Sequence, residues 1–203
     1  MLNNFEIRST ARRALKGNWL IAVLVCFIYA LVCSSGTELG TVIPVVGFFA
    51  SMFFIGPINL GVNGFFLSMY RGRTMRLESI FEGFRNLLSA FLVALITWVF
   101  ILLWALLLVI PGIIAALRYS QAIYILYDNP DIGALEAIER SKKMMHGYKG
   151  KLFFLYLSFF GWALLSILTA GIGFLWLAPY VSVSLAGFYE DLKLNQAIDQ
   201  EAL

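Results

Sequence analysis

The hydrophobic and polar positions fall in blocks: long apolar runs are separated by short amphipathic or charged stretches, a pattern that predicts helices of two kinds. Residues 3–16 set Ile7, Ala11, Ala14 and Leu15 on one helical line among Arg8, Arg12, Arg13 and Lys16, the mark of an amphipathic helix lying in a membrane interface. Gly17 and Asn18 end it, and residues 19–33 form a first apolar span anchored by Trp19. After a polar turn over 34–40, residues 41–70 run without a charge for longer than one straight span requires. Gly56-Pro57 predicts a break or kink there, because proline lacks the backbone donor and clashes one turn back. The carbonyl freed near Phe53 needs another partner, and Asn59 and Asn63 lie just beyond.

Residues 71–86 carry Arg71, Arg73, Arg76 and Arg85 beside a stripe of Leu77, Ile80, Phe81 and Phe84, which predicts a second interfacial helix. Residues 87–110 are the clearest span, ending at a tight turn at Pro111-Gly112. A short return helix over 112–127 is interrupted by Arg118, Ser120 and Gln121 and stops at Asp128-Asn129-Pro130-Asp131. Leu135, Ile138 and Met145 mark a third interfacial helix, closed by Gly147. Residues 152–169 and 174–189 are the last two spans, joined at 170–173, with Pro179 expected to kink the final helix. The fold class is therefore all-α: a polytopic bundle of six spans arranged as three helical hairpins, each preceded by an interfacial helix, in one membrane domain over 1–203.

Composition sharpens this. The chain is 61% hydrophobic and 13% charged, with a mean hydropathy of +0.83; a soluble domain has about 45–50% apolar and about 25% charged residues. The net charge of +3 raises the question of nucleic acid, but the charges punctuate apolar runs instead of forming a basic face, so no nucleic-acid partner is expected. Their natural partners are anionic headgroups. Of the fifteen Lys and Arg, all but Arg118 fall in the N-terminal stretch, the loops around 71–85 and 140–151, or at Lys193, while the opposite connections carry only Glu38 as a charged residue. The positive-inside rule then puts both termini in the cytoplasm. The basic, apolar start ending at Ala30-Leu31-Val32-Cys33 raises a lipoprotein signal, but Val32 stands where a small residue is expected, so cleavage is not expected. The glycines Gly17, Gly83 and Gly147, separated by 66 and 64 residues, each follow an amphipathic stretch and precede a hairpin, which suggests a threefold repeat.

The chemistry-bearing residues are few. Cys26 and Cys33 sit seven apart in one run, beyond disulfide reach on a helix, and read as small apolar fillers. His146 has no companion ligand, so neither a metal nor a cofactor is expected. Without HExxH, GxSxG, a phosphate loop or paired intramembrane aspartates, no catalytic residue and no enzyme activity are expected. Gly61 with Gly64 and Gly171 with Gly173 miss the GxxxG spacing, so no dimer follows. Tyr119, Tyr124, Tyr127, Trp162, Trp176 and Tyr180 read as packing and interface belts, and Glu136 and Glu139 as surface partners of Arg140 and Lys143. Arg118 is the sharpest feature, since a charge inside a span costs about 2.5–3.5 kcal/mol on insertion scales. Two readings stand: its stem snorkels to the interface, or with Gln121 it binds a substrate or an anionic lipid headgroup. Asn59 and Asn63 likewise read either as interhelical glue or as the lining of a discontinuous-helix site.

The segments Pro111-Gly112-Ile113-Ile114-Ala115-Ala116-Leu117-Arg118-Tyr119-Ser120, Ser141-Lys142-Lys143-Met144-Met145-His146-Gly147, Leu157-Ser158-Phe159-Phe160-Gly161-Trp162 and Pro179-Tyr180, with Gly56-Pro57, Gly61 and Phe65-Phe66, resemble the bacterial domain of unknown function family 975 over nearly the whole chain. The resemblance implies a small bacterial inner-membrane protein without an agreed activity, and it carries over no catalytic residue. The function expected is a non-enzymatic membrane accessory or lipid-interacting factor, aiding envelope homeostasis or a neighbouring export system; the alternative is a small transporter or permease subunit. Membrane lipids are the expected partners, with another membrane protein as a further candidate.

Overall fold

A computed structural model describes residues 2–42, 44–73, 76–169 and 171–201, with side chains outside the description at 35–42, 44–52, 107 and 197–201. The side chain of Glu38, used above for sidedness, and residue Ala170, in the expected last turn, therefore lie outside the description. The chain is all-helical, with no strand among the described residues. Its order is α1 (Asn4–Leu15), α2 (Trp19–Val42), α3 (Pro44–Tyr70), a 3-10 segment (Leu77–Asn86), α4 (Leu87–Leu107), α5 (Val109–Tyr119), α6 (Ala122–Asp128), α7 (Ala134–Met144), α8 (Lys149–Leu168) and α9 (Phe174–Glu201).

α1 begins with a reciprocal cap: Glu6 accepts from the Asn3 N–H at 2.7 Å while the Asn3 side chain accepts from Phe5. It buries Ile7, Ala11 and Leu15 completely, the line read from the sequence, against α9 and α3. Gly17, at φ +90°, then turns the chain so that α2 leaves α1 at 99°. α7 also has an amphipathic face, but the buried line is Ala134, Ala137, Ile138, Ser141 and Met144, and Leu135, expected on it, is 67% exposed. Small residues on that line let α7 pack against α6 and α4.

Several expected boundaries move. The polar turn expected over 34–40 lies within α2, and α3 runs as one helix through Pro57, so the expected break at Gly56-Pro57 is not seen. A second backbone packs closely on this region. A Cβ on Gly83 of the 3-10 segment would sit 1.9 Å from the Pro57 carbonyl oxygen, and one on Gly61 would sit 1.8 Å from the Ile80 carbonyl oxygen, so two backbones touch where only glycine fits. The second interfacial helix accordingly tightens into a 3-10 segment whose buried residues, Ile80 and Gly83, repeat every three positions, while Leu77 and Phe81 face outward.

The turn expected at Pro111-Gly112 occurs at Leu108, which is extended (φ −163°, ψ 145°); Pro111 falls in the first turn of α5, where no N–H is needed. The return helix over 112–127 is two helices, α5 and α6, meeting at Ser120-Gln121. Among the described residues, four runs are long and apolar enough to cross a membrane: Phe53–Tyr70, Leu77–Leu106, Val109–Asp128 and Lys149–Leu168. A fifth is added if α1 and the start of α2 count as one bent span. The sixth expected span, 174–189, is not among these runs: α9 extends from Phe174 to Glu201, and its first sixteen residues, all uncharged, lead directly into Glu190 and Asp191. α9 buries Val183, Ala186, Phe188 and Leu192 completely.

Candidate functional site

The charged ends of the helices converge. Arg71, just past α3, donates to both oxygens of Asp128 at the end of α6, each at 2.7 Å, and through Nε to Glu190 of α9 at 2.6 Å. Lys193 and the Tyr189 hydroxyl also donate to Asp128, at 2.6 and 3.0 Å. Arg71 keeps 14% of its side chain exposed and Asp128 8%, so this is a nearly enclosed, bidentate pair in which geometry as well as charge is satisfied. The Asp128 hydrogen bonds raise the Arg71 guanidinium above its usual range despite the opposing effect of burial, so it stays charged. Nearby, Lys151 pairs with Asp191 at 3.4 Å, and the Leu2 N–H donates to Asp191 at 2.9 Å. The starts of α1 and α8, the ends of α3 and α6, and residues 189–193 thus share one end of the bundle. Sequence reasoning placed these stretches on one side but did not find the network.

Of the residues singled out from the sequence, Arg118 and Gln121 flank the α5–α6 break. The Ser141 hydroxyl of α7 donates to the Arg118 carbonyl at 2.9 Å and accepts from the Gln121 N–H at 3.2 Å, stapling the break to α7. Arg118 Nε and Gln121 Oε1 are buried without a partner, while Gln121 Nε2 donates to Ser120 at 2.9 Å. Asn63 donates through Nδ2 to the Asn59 carbonyl at 2.8 Å and meets the Asn59 side-chain oxygen, so these two asparagines contact each other within α3. Asn59 lines a cavity of about 400 Å³ with Gly56, Thr97, Tyr119 and Ser120, in which Thr97 Oγ1 has no partner; Arg118, Gln121 and Asn63 do not line it. The four residues are thus not gathered into one site. No cluster of metal-ligating side chains occurs among the described residues.

A second cavity, of about 380 Å³, lies where α1 meets the α8–α9 hairpin. Its walls include Trp19, Trp162, Leu165, Trp176 and Leu177, and Arg8 and Arg12 line it from α1. Trp162 is 57% and Trp176 54% exposed, so the walls face outward. Arg8 lies over the Phe159 ring at 5.7 Å, yet its Nε is buried without a hydrogen-bond partner. Sequence reasoning assigned Arg8 and Arg12 to the interface but not to a cleft; their spacing of four on one helix face was the available signal, and the wall that completes the cleft comes from residues about 150 positions away.

Comparison with known proteins returns a family. The family described as "Protein of unknown function (DUF975)" matches residues 1–115 and 105–196. No curated protein and no solved structure matches the chain. With nearly the whole length covered, including the α5 segment and the α7 segment that hold the Ser141 staple, the chain belongs to the DUF975 family.

Proposed function

We propose that this protein is a multi-pass integral membrane protein of the bacterial plasma membrane, with both termini cytoplasmic, acting as a lipid-interacting accessory factor and not as an enzyme. The observation that carries the reading is the outer surface of the apolar helices. Leu106 of α4 and Leu168 of α8 are 83% and 81% exposed, and Leu102, Leu103, Phe154, Leu157 and Leu165 also point outward. Water disfavours such faces by about 25 cal/mol per Å² of apolar area, whereas lipid accommodates them. The gathering of basic stretches at one end supports the sidedness. The test is alkaline carbonate extraction of membranes followed by native mass spectrometry of the gently solubilised protein. Retention in the pellet with co-purified phospholipid is expected; release into the supernatant, or the absence of bound lipid, would overturn the proposal.

A second reading, a small transporter or permease subunit, is supported by the cavity beside Asn59 and the unpartnered Thr97 hydroxyl within it. It requires a wet path at that depth. With Cys26 and Cys33 replaced by alanine, a Thr97→Cys thiol that reacts with a membrane-impermeant reagent from either side would favour transport; protection from both sides would remove this reading.

A further inference from the structure

We infer that the cleft between α1 and the α8–α9 hairpin is a site for one anionic phospholipid, with Arg8 and Arg12 taking the phosphate and Trp162, Leu165, Trp176 and Leu177 the start of an acyl chain. The inference rests on the lipid-interacting reading above and gives it a place and a headgroup charge. Three features of the cleft carry it.

The first is an unmet donor. Arg8 Nε is buried without a partner, and neither Arg8 nor Arg12 forms an ion pair among the described residues. A guanidinium offers five N–H donors in a planar fork that matches a phosphate, and a buried donor left unpaired is costly, so the site favours an oxyanion.

The second is that the hydroxyls of Ser166 and Thr169 in the cleft are already satisfied. Ser166 Oγ donates to the Trp162 carbonyl at 2.8 Å. Thr169 Oγ1 donates to the Ser166 carbonyl at 2.9 Å and accepts from the Gly173 N–H at 3.1 Å. Two acids of the flanking helices are also engaged: Glu6 of α1 with the Asn3 N–H, and Asp191 of α9 with Lys151 and the Leu2 N–H. The charge that the cleft leaves without an ion pair is positive, on Arg8 and Arg12.

The third is the wall. Three tryptophans and two leucines make a surface that a free inorganic anion leaves uncovered but an amphiphile covers, and tryptophan is suited to the boundary between headgroups and chains. Charge and apolar area together therefore select an anionic lipid over both a soluble phosphate and a zwitterionic lipid. Arg118 Nε is likewise buried without a partner, but Arg118 lines neither this cleft nor the cavity beside Asn59, so the headgroup is assigned to α1.

The test uses the full-length protein in neutral detergent, with native mass spectrometry against equimolar phosphatidylglycerol and phosphatidylcholine. Wild type is expected to retain phosphatidylglycerol preferentially, and Arg12→Gln, at an exposed position whose loss leaves the packing intact, to lower that preference roughly tenfold, the effect of losing about one charge-assisted hydrogen bond. Arg8→Gln is expected to do at least as much, and Arg140→Gln, on the far face of α7, to leave it unchanged. Helical circular dichroism checks that each variant is folded, and Arg12→Gln alone suffices if Arg8→Gln does not fold. Lipid retained without headgroup preference, or a preference indifferent to Arg12, would overturn this site while leaving the broader lipid reading standing. Displacement of the lipid by millimolar inorganic phosphate would show an anion site and overturn the lipid assignment. No retained lipid at all would instead end the broader reading.

Discussion

Between Tyr119 and Ala122 the backbone leaves one helix and enters another, and the Gln121 N–H and Arg118 carbonyl stranded there both meet the hydroxyl of Ser141. Ser141 is completely buried, so water does not replace it. Ser141→Ala is expected to destabilise by about 2 kcal/mol, the cost of leaving buried backbone groups unpaired. Ser158→Ala, whose hydroxyl only bonds back to the Leu155 carbonyl in its own helix, should cost far less. Thermal unfolding in detergent compares the two; equal effects would mean that the staple contributes nothing. Gly83 is the other residue whose side chain, or lack of one, decides local structure. Because its Cβ would fall 1.9 Å from the Pro57 carbonyl oxygen, Gly83→Ala should force α3 and the 3-10 segment apart, at about 1–3 kcal/mol, in the same assay. Neither serine nor glycine carries this role in its sequence signal: Ser141 sits in a charged stretch, and Gly83 stands out only by its spacing from Gly17 and Gly147.

At the scale of elements, that spacing has a structural counterpart in two of its three places. α1 and α7 are amphipathic helices of similar length, each closed by a left-handed glycine, Gly17 at φ +90° and Gly147 at φ +83°, before a long apolar helix begins at Trp19 or Lys149. At the middle position, Gly83 lies inside the 3-10 segment, and α4 follows directly at Leu87. Gly17→Ala and Gly147→Ala are each expected to cost about 1–2 kcal/mol through the left-handed backbone alone, since a Cβ at either meets nothing within 4 Å. Gly150→Ala, equally open but helical, should be neutral or slightly stabilising. Urea titration of the three variants separates the cases, and the idea of a shared turn fails if Gly17→Ala and Gly147→Ala behave like Gly150→Ala. Element identity was legible because apolar runs and amphipathic lines are local patterns. Boundaries were less so: α2 continues through 34–40, and the close packing of Gly83 on Pro57 joins segments that periodicity does not bring together.

Across the whole molecule, Arg71 ties three helices together. Its partners are 57 and 119 positions away, so the tie closes long loops of the fold. Arg71→Ala leaves Asp128 and Glu190 without their main cation and should destabilise by about 2–3 kcal/mol, less than for a fully enclosed pair because Arg71 keeps 14% exposure and Lys193 still reaches Asp128. Thermal unfolding should rank Arg71→Ala well below Arg76→Ala, whose pair with Glu78 is exposed on both sides. Sidedness is also a property of the whole. In a variant with Cys26 and Cys33 replaced, single cysteines at Arg76, Lys149 and Lys193 should react with an impermeant thiol reagent from one face of sealed vesicles, and one at Ile172 from the other. Labelling of Ile172→Cys from the same face as the rest would overturn the hairpin topology.

The sequence by itself determined that the chain is helical, that its apolar runs are long enough to cross a bilayer, which stretches carry the basic charge, and to which family it belongs. These follow from composition, local periodicity and ordered motifs, all read along the chain. Tertiary structure alone decided which charges are satisfied: Arg71 is enclosed by Asp128 and Glu190, whereas Arg8 and Arg118 each keep a buried Nε without a partner. It also decided that Asn59 faces a cavity that Arg118 and Gln121 do not line. The physical reason is that a helical pattern specifies which face of a segment is apolar, but the desolvation and pairing of a charge depend on side chains that only folding brings within 3 Å.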